Sequence, residues 1–362
     1  MKKIGMLLFM VVAAFGFTQC GDDDNNKNEG GGTAEDFIRA ADMSFLPEIE
    51  QAGTVYYKGG QSEDALLTLK NAGVNTIRIR VWKNPANGHS GLAEVKALAQ
   101  RVKAQGMKVW LTVHYSDTWA DPSAQVKPQE WEGLSFNDLK AAAVTYTKQI
   151  LTEVNPDIIQ IGNETNDGFI YPEGNLTANE SQYLQLVTAI SAAIRAQSPN
   201  AKIMLHHAGT EGAEWFYNKV ANVDYDYIGL SYYPVWHGKD LTALKNNITA
   251  LGTAHNKKVV IAETAYPFTL GYNDWTNNIV GDQSQLVPGY AASAEGQKHF
   301  LLAVRKLVED SSVGAGFAYW GTEWVAFKGE QATNGSTFEN QALWDFSNNA
   351  LPALDAFKKE TE

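Results

Sequence analysis

Asp157-Ile-Ile-Gln-Ile-Gly-Asn-Glu164 is the stretch on which the fold turns. It is a short β-branched run of strand length that follows Asn155-Pro156 and closes on an amide and a carboxylate. Outward from it, residues 139–154 on one side and 181–197 on the other are amphipathic and long enough for helices. Beyond these, short apolar runs return. The alternation predicts eight strands, at 37–42, 76–82, 108–115, 157–164, 202–207, 227–233, 258–264 and 316–320. Helices are predicted at 62–71, 91–106, 139–154, 181–197, 241–255 and 294–310, with a weak unit of about two turns at 213–220. The 62–71 helix opens on Ser62 as its cap and stops at Gly73. Strands alternating with helices make a parallel sheet. Eight such units predict an α/β chain whose residues 36–362 form one (β/α)8 TIM barrel. A doubly wound open sheet would leave the eighth strand without a neighbour, and no Gly-rich phosphate loop supports it.

The 362 residues carry a formal charge of -12 and a pI near 5.1, which excludes nucleic acid as a partner because phosphate backbones demand a basic footprint. With 10 Trp, 15 Tyr and 15 Phe the chain is rich in aromatic rings, as sugar-binding surfaces are. Lys2 and Lys3 precede an apolar run at 4–17, too short to span a bilayer but right for a signal-peptide core. Cys20, the one cysteine, follows that core and precedes Gly21-Asp-Asp-Asp24, an arrangement that resembles a bacterial lipoprotein signal. Residues 1–19 are thus expected to be cleaved and Cys20 lipidated. An ordinary signal peptide with a chance cysteine is the alternative. Residues 20–35, rich in Gly, Asn and Asp, cannot bury enough surface to order and read as a flexible acidic tether. The expectation is an exported outer-membrane lipoprotein facing the cell surface.

In such a barrel the chemistry lies where strands end. The fourth strand delivers Asn163-Glu164 and the seventh delivers Glu263, so two apolar strands both end in a carboxylate. Charges there are costly unless paired or functional. Two carboxylates suit glycoside cleavage. One protonates the leaving oxygen, and the other, about 5–5.5 Å away, attacks the anomeric carbon with overall retention. Glu164 is the candidate acid/base and Glu263 the candidate nucleophile, with Asn163 placed to hold the sugar 2-hydroxyl. Arg80, at the end of the second strand, is expected to keep the nucleophile ionised. Alternation along 76–82 turns Arg78, Arg80 and Trp82 to one face and Ile77, Ile79 and Val81 to the other, which leaves Arg80 inside the barrel.

Five segments in order, Thr76-Ile-Arg-Ile-Arg-Val-Trp82, His114-Tyr-Ser-Asp-Thr-Trp-Ala-Asp-Pro122, Ile161-Gly-Asn-Glu164, Gly229-Leu-Ser-Tyr-Tyr-Pro234 and Glu263-Thr-Ala-Tyr-Pro267, resemble glycoside hydrolase family 53, the endo-β-1,4-galactanases. The resemblance spans the barrel. It implies endo-acting, retaining hydrolysis of β-1,4-galactan and galactooligosaccharides, with Glu164 and Glu263 in the roles just given; separately, the chain is expected to be a monomer. It further implies that Arg80 and His114 line the cleavage subsite, that Tyr233 bonds the nucleophile, and that Trp320 is the sugar platform. Asp42, Asp117, Trp119 and Trp344 are expected in outer subsites. A departure follows the eighth strand, where Tyr319-Trp320-Gly-Thr-Glu-Trp324 replaces the family's usual Tyr-Trp-Glu-Pro. No cofactor is required by this chemistry. Some bacterial members hold a structural calcium ion between strands seven and eight, but here 273–288 offers only Asp274, Asp282, Asn277 and Asn278, so that site is expected to be weakened or absent. His206-His207 reads as a packed strand end rather than a transition-metal site. Two other readings stay open. One is a related barrel hydrolase acting on mannan or cellulose, and the other is a surface lipoprotein that binds glycans without cleaving them.

Overall fold

Eight parallel strands close into a barrel because each presents one apolar face to helices and a second face to the axis. The protein is described here from a computed structural model covering residues 37–359; the expected leader, Cys20 and the tether lie outside these residues. The strands are β1 (Ile38–Asp42), β2 (Thr76–Val81), β3 (Lys108–Val113), β4 (Ile158–Ile161), β5 (Lys202–Ala208), β6 (Tyr227–Ser231), β7 (Lys258–Thr264) and β8 (Gly314–Tyr319). Each pairs with its neighbours in sequence, and β1 closes the ring by pairing with both β2 and β8.

One principal helix fills each of the seven crossovers: α1 (Ala65–Ala72), α2 (Leu92–Ala104), α3 (Phe136–Val154), α4 (Glu180–Gln197), α5 (Ala213–Lys219), α6 (Leu241–His255) and α7 (Ala294–Glu309), with short helices at Leu46–Gln51 and Pro234–His237 beside α1 and α6 in their crossovers. The eighth position holds a short 3-10 helix, Pro352–Phe357, whose Phe357 stacks on Phe317 of β8. Side-chain caps start several of them. Ser135, Asp240 and Ser293 accept backbone N–H groups at the starts of α3, α6 and α7. The cap of α1 is Asp64, not the expected Ser62, which pairs in a two-stranded ribbon, Tyr57–Lys58 with Gln61–Ser62. Gly73 ends α1 at φ 103°, and a Cβ there would meet the Phe357 carbonyl oxygen at 2.3 Å, so no other residue fits.

Alternation sorts the core into two parts. Ile77, Ile79, Val109, Leu111, Ile159, Ile161, Ile203 and Leu205 pack outward in the large cluster beneath the helices. Inside, Ile38, Ala40, Trp110, Ile158, Met204, Tyr227, Val260, Ala262 and Ala318 form a separate apolar plug. Toward the strands' C-terminal ends the interior turns polar, with Arg78, Gln160, His206, Ser231 and Glu263 all buried. Such groups are tolerated inside only when they satisfy one another.

One irregularity positions the site. Val260 and Ala262 face the axis, so strict alternation would send Glu263 outward to the helices. Between Leu230/Ser231 of β6 and Phe317/Tyr319 of β8, β7 carries one residue more than either neighbour. This β-bulge re-aims Glu263 inward.

Candidate active site

The end of β4 bends sharply. Gly162 takes φ 75° and Glu164 φ 48°, a left-handed conformation that costs a non-glycine residue about 1 kcal/mol or more. The turn is fixed by Glu164 N–H donating to His206 Nδ1 (3.3 Å) and Thr165 N–H to the His206 carbonyl (2.9 Å). It brings a carboxylate oxygen of Glu164 within 4.8 Å of one from Glu263. The two residues thus meet across the barrel mouth at the spacing for direct displacement.

Their surroundings differ. Glu263 Oε1 accepts from Arg78 Nη2 (2.6 Å) and Oε2 accepts from the Tyr233 hydroxyl (2.8 Å). Burial pushes its carboxyl up, and Arg78 and Tyr233 pull it back. Glu164 has no cation in contact. Burial first, and then the charge of Glu263, push it up to about 8, against one hydrogen bond from Ser231. Glu263 therefore ionises first and Glu164 keeps its proton, the division of labour a nucleophile and an acid need.

A directed chain fixes which oxygen of Glu164 holds that proton. His206 Nδ1 takes the Gln160 amide (3.0 Å) and the Glu164 N–H, so Nε2 carries the ring hydrogen and donates to Ser231 Oγ (2.9 Å). Ser231 then donates to Glu164 Oε1 at 2.5 Å. Oε1 being an acceptor, the acidic hydrogen belongs on Oε2. His206, held neutral chiefly by its burial, is a packed strand end as expected, yet it is also one hydroxyl from the acid. Glu164, His206 and Glu263 offer atoms close enough to share a metal ion, but both ring nitrogens are already committed to this chain.

Asn163 is oriented by three bonds. Its Oδ1 accepts from Arg78 (2.9 Å) and Gln160 (3.2 Å), and its Nδ2 donates to the Ala120 carbonyl (2.9 Å). One Nδ2 hydrogen remains for a sugar hydroxyl. His114 Nδ1 accepts from Trp82 Nε1 (3.1 Å) and Ala120 N–H (3.2 Å), which makes Nε2 its donor. Around these lies a cleft of about 750 Å³, lined also by Arg80, Trp119, Asp121, Trp236, Trp320, Trp324 and Phe338. That volume lies in the upper part of the range for ligand clefts.

Four expected placements need correction. Arg80 does not pair with Glu263. Arg78, one inward position deeper, does, and it also binds Asp42 (2.6 Å). Arg80 sits higher, donating Nε to Ser90 (2.9 Å), its guanidinium against Phe45, Trp82 and Trp119, and its Nη1 without a partner. It lines the cleft as a cation with no ion-pair contact, its pKa lowered by burial to about 10 against the opposing pull of Asp42 and Glu323. Asp42 is no outer subsite. Register places it beside Arg78, and it is 2% exposed at the cleft floor. Asp117 braces loops, accepting N–H groups from Asn84 and Gln129 at 2.9 Å. Trp344 is wholly buried against Tyr56 and reaches no sugar. Trp119, 37% exposed, and Trp320 do line the cleft.

The sequence assigned no role in the site to Arg78, Gln160, His206, Ser231 or Trp324. Arg78 carried a signal, since it shares the inward face with Arg80. The bonding of Ser231 and His206 depends on which strands stand side by side, which no local pattern records. In the 273–288 loop Asp282 caps its own turn and Asn277 is exposed. Asp274, however, is buried with Oδ2 unpartnered, and Glu339, from beyond β8, is buried with Oε2 unpartnered. Asn278 Oδ1 is a third oxygen without a partner.

The family model for glycosyl hydrolase family 53 matches residues 38–357. An arabinogalactan endo-β-1,4-galactanase of Cellvibrio japonicus is 33% identical over 90% of this chain and 91% of its own length. An endo-β-1,4-galactanase of Bacillus subtilis is also 33% identical, over 90% and 86% respectively. Among solved structures, the GH53 catalytic domain of Ignisphaera aggregans superposes with a TM-score of 0.84 at 37% identity, covering 91% of this chain and 97% of that one.

Proposed function

The chain belongs to glycosyl hydrolase family 53, and from that membership we propose that it is an endo-β-1,4-galactanase that cuts galactan by double displacement. The observation that carries the mechanism is the Glu164–Glu263 pair, with oxygens within 4.8 Å and opposite electrostatic settings. Glu263 attacks the anomeric carbon while Glu164 Oε2 gives its proton to the departing glycosidic oxygen, forming a glycosyl ester and releasing the leaving sugar. Glu164, now a carboxylate, takes a proton from water as that water attacks the same carbon. The ester bond to Glu263 breaks and Glu164 is acidic again. Asn163 Nδ2 and His114 Nε2 supply donors to the sugar hydroxyls, and Trp320 supplies the ring face.

Linear β-1,4-galactan, mannan and cellulose assayed side by side test the reading. Galactan alone should be cut, internally, and proton NMR should show the β-anomer first. Activity should fall on the alkaline side as Glu164 loses its proton near pH 8 and on the acid side as Glu263 gains one. A first product in the α form rules out double displacement, and preferential attack on mannan rules out the substrate.

A structural cation is compatible with the loop. Asp274, Glu339 and Asn278 each leave an oxygen unbonded and would hold a calcium ion, with backbone carbonyls and water completing its six to eight ligands. It would bind the β7–α7 loop to the chain after β8 and take no part in the reaction. Calcium should raise Tm by a few degrees and a chelator reverse it, and an unmoved Tm in both would dismiss the site. Export as a surface lipoprotein anchored at Cys20 rests on the leader's composition. Palmitate incorporation that survives Cys20→Ala would refute it.

A further inference from the structure

Glu323 stands behind the cleft wall, fully buried, on the segment where this chain departs from its family's usual motif. Its Oε1 accepts the Phe45 N–H at 2.6 Å across 278 residues of sequence, and its carbonyl accepts the Tyr56 hydroxyl at 2.7 Å. Its Oε2 has no partner. The side chain thus fastens the loop after β1 to the loop after β8, where the barrel closes.

What it fastens is a ring. Phe45 lies parallel to Trp324 at 3.9 Å between centroids, and Trp324 is in turn parallel to Phe338 at 5.9 Å. The Arg80 guanidinium lies 3.9 Å from the Phe45 centroid, and since Trp324 occupies one face of that ring, Arg80 takes the other. Trp320 meets all three rings edge-on, at interplanar angles of 85°, 80° and 68° to Phe45, Trp324 and Phe338. Edge-to-face contacts restrict both tilt and distance, so the stack sets the plane of Trp320. Phe45 itself does not line the cleft, whereas Arg80, Trp320, Trp324 and Phe338 all do. Displacing it would let the cation and the platform move together.

We propose that Glu323 is a positioning residue for sugar binding: through its bond to the Phe45 backbone it holds the Arg80–Phe45–Trp324–Phe338 stack and thereby the plane of Trp320. The proposal rests on the galactanase reading and adds to it a determinant outside the cleft. Burial first, and then the charge of Asp42, push the Glu323 carboxyl up to about 8, so at neutral pH it is largely uncharged and the bond to Phe45, rather than an ion pair with Arg80, does the positioning.

The test is steady-state kinetics on linear β-1,4-galactan, with tryptophan fluorescence followed during titration by β-1,4-galactotetraose. Glu323→Ala should raise KM about tenfold and leave kcat within about threefold, because the carboxylate pair is untouched. Glu323→Gln keeps an acceptor for Phe45 and should restore KM to within about twofold of wild type. The fluorescence change on binding should shrink in the alanine variant alone. Phe45→Ala leaves the Glu323 acceptor in place and should raise KM as much, which carries the test if Glu323→Ala does not fold. Unchanged KM in either alanine variant, a loss confined to kcat, or a glutamine variant as impaired as the alanine one would overturn the proposal. A wild-type enzyme inactive on galactan would overturn the galactanase reading and this proposal with it.

Discussion

Glu263→Ala lowers kcat/KM on galactan by at least about 10⁴-fold, because no other group can form the glycosyl ester. Oligosaccharide binding remains measurable in the same variant. The cleft walls are built from Arg80, His114, Trp119 and Trp320, and none of these leans on Glu263. Small anions give the reading its sharpest form. The space vacated by the carboxylate lies beneath the anomeric carbon, so added azide should enter there and yield an α-galactosyl azide from an activated aryl β-galactoside. In Glu164→Ala the nucleophile is intact and the ester forms. Azide then attacks from the opposite face, where the acid stood, and the product is the β-azide. Swapped anomers would exchange the two roles, and full activity in Glu263→Ala would end the assignment. A protein that only binds glycans would show neither product and no loss. Binding and turnover lost together would show instead that Glu263 holds the fold, which the burial of its partner Arg78 makes a real competitor.

The barrel was legible because its cause is periodic. Apolar runs of strand length separated by amphipathic helices have one economical closure, and helices α1 to α7 fall within a few residues of their expected places. The errors lie at starts and ends. Ser62 looked like a cap, but Asp64 makes the bond, since capping depends on where the backbone first turns. The eighth helix is a 3-10 turn of six residues, too short to show a helical period.

The site was legible where a residue's type and strand position were enough, as for Glu164 and Glu263 at the ends of β4 and β7. It was illegible where neighbouring strands decide. Alternation alone would have faced Glu263 outward, and only the extra residue in β7 turns it in. Asp42 and Trp344 have the chemistry of sugar ligands, but lateral pairing gives one to Arg78 and packing gives the other to Tyr56. Choosing Arg80 over Arg78 failed for a related reason. Both point to the axis, and what separates them is depth: the longer climb of Arg78 ends at Asp42 and Glu263, while Arg80 ends among rings.

Arg78→Met tests that distinction and should be the most damaging single change away from the two glutamates. Its guanidinium bridges Asp42 and Glu263 at 2.6 Å each and donates to Asn163 at 2.9 Å, so the substitution leaves two buried carboxylates without their cation. Breaking a buried pair in this way costs about 3–5 kcal/mol. Arg78 is also what pulls the Glu263 carboxyl down against burial. Without it Glu263 holds its proton to higher pH, and because turnover requires the ionised form, the acid limb of the pH profile must move up toward the alkaline one. At neutral pH kcat should fall by about 10²–10³-fold, from the smaller ionised fraction and from a misaligned Asn163. Adding Asp42→Asn should recover much of the lost stability by removing one orphaned charge, yet no activity, since Glu263 stays unpaired. Arg80→Met should behave differently. It removes a cleft cation that touches neither glutamate, so KM should rise while the acid limb stays in place. An acid limb that moved with Arg80→Met and not with Arg78→Met would mean that the ion pair at the cleft floor does not govern the nucleophile.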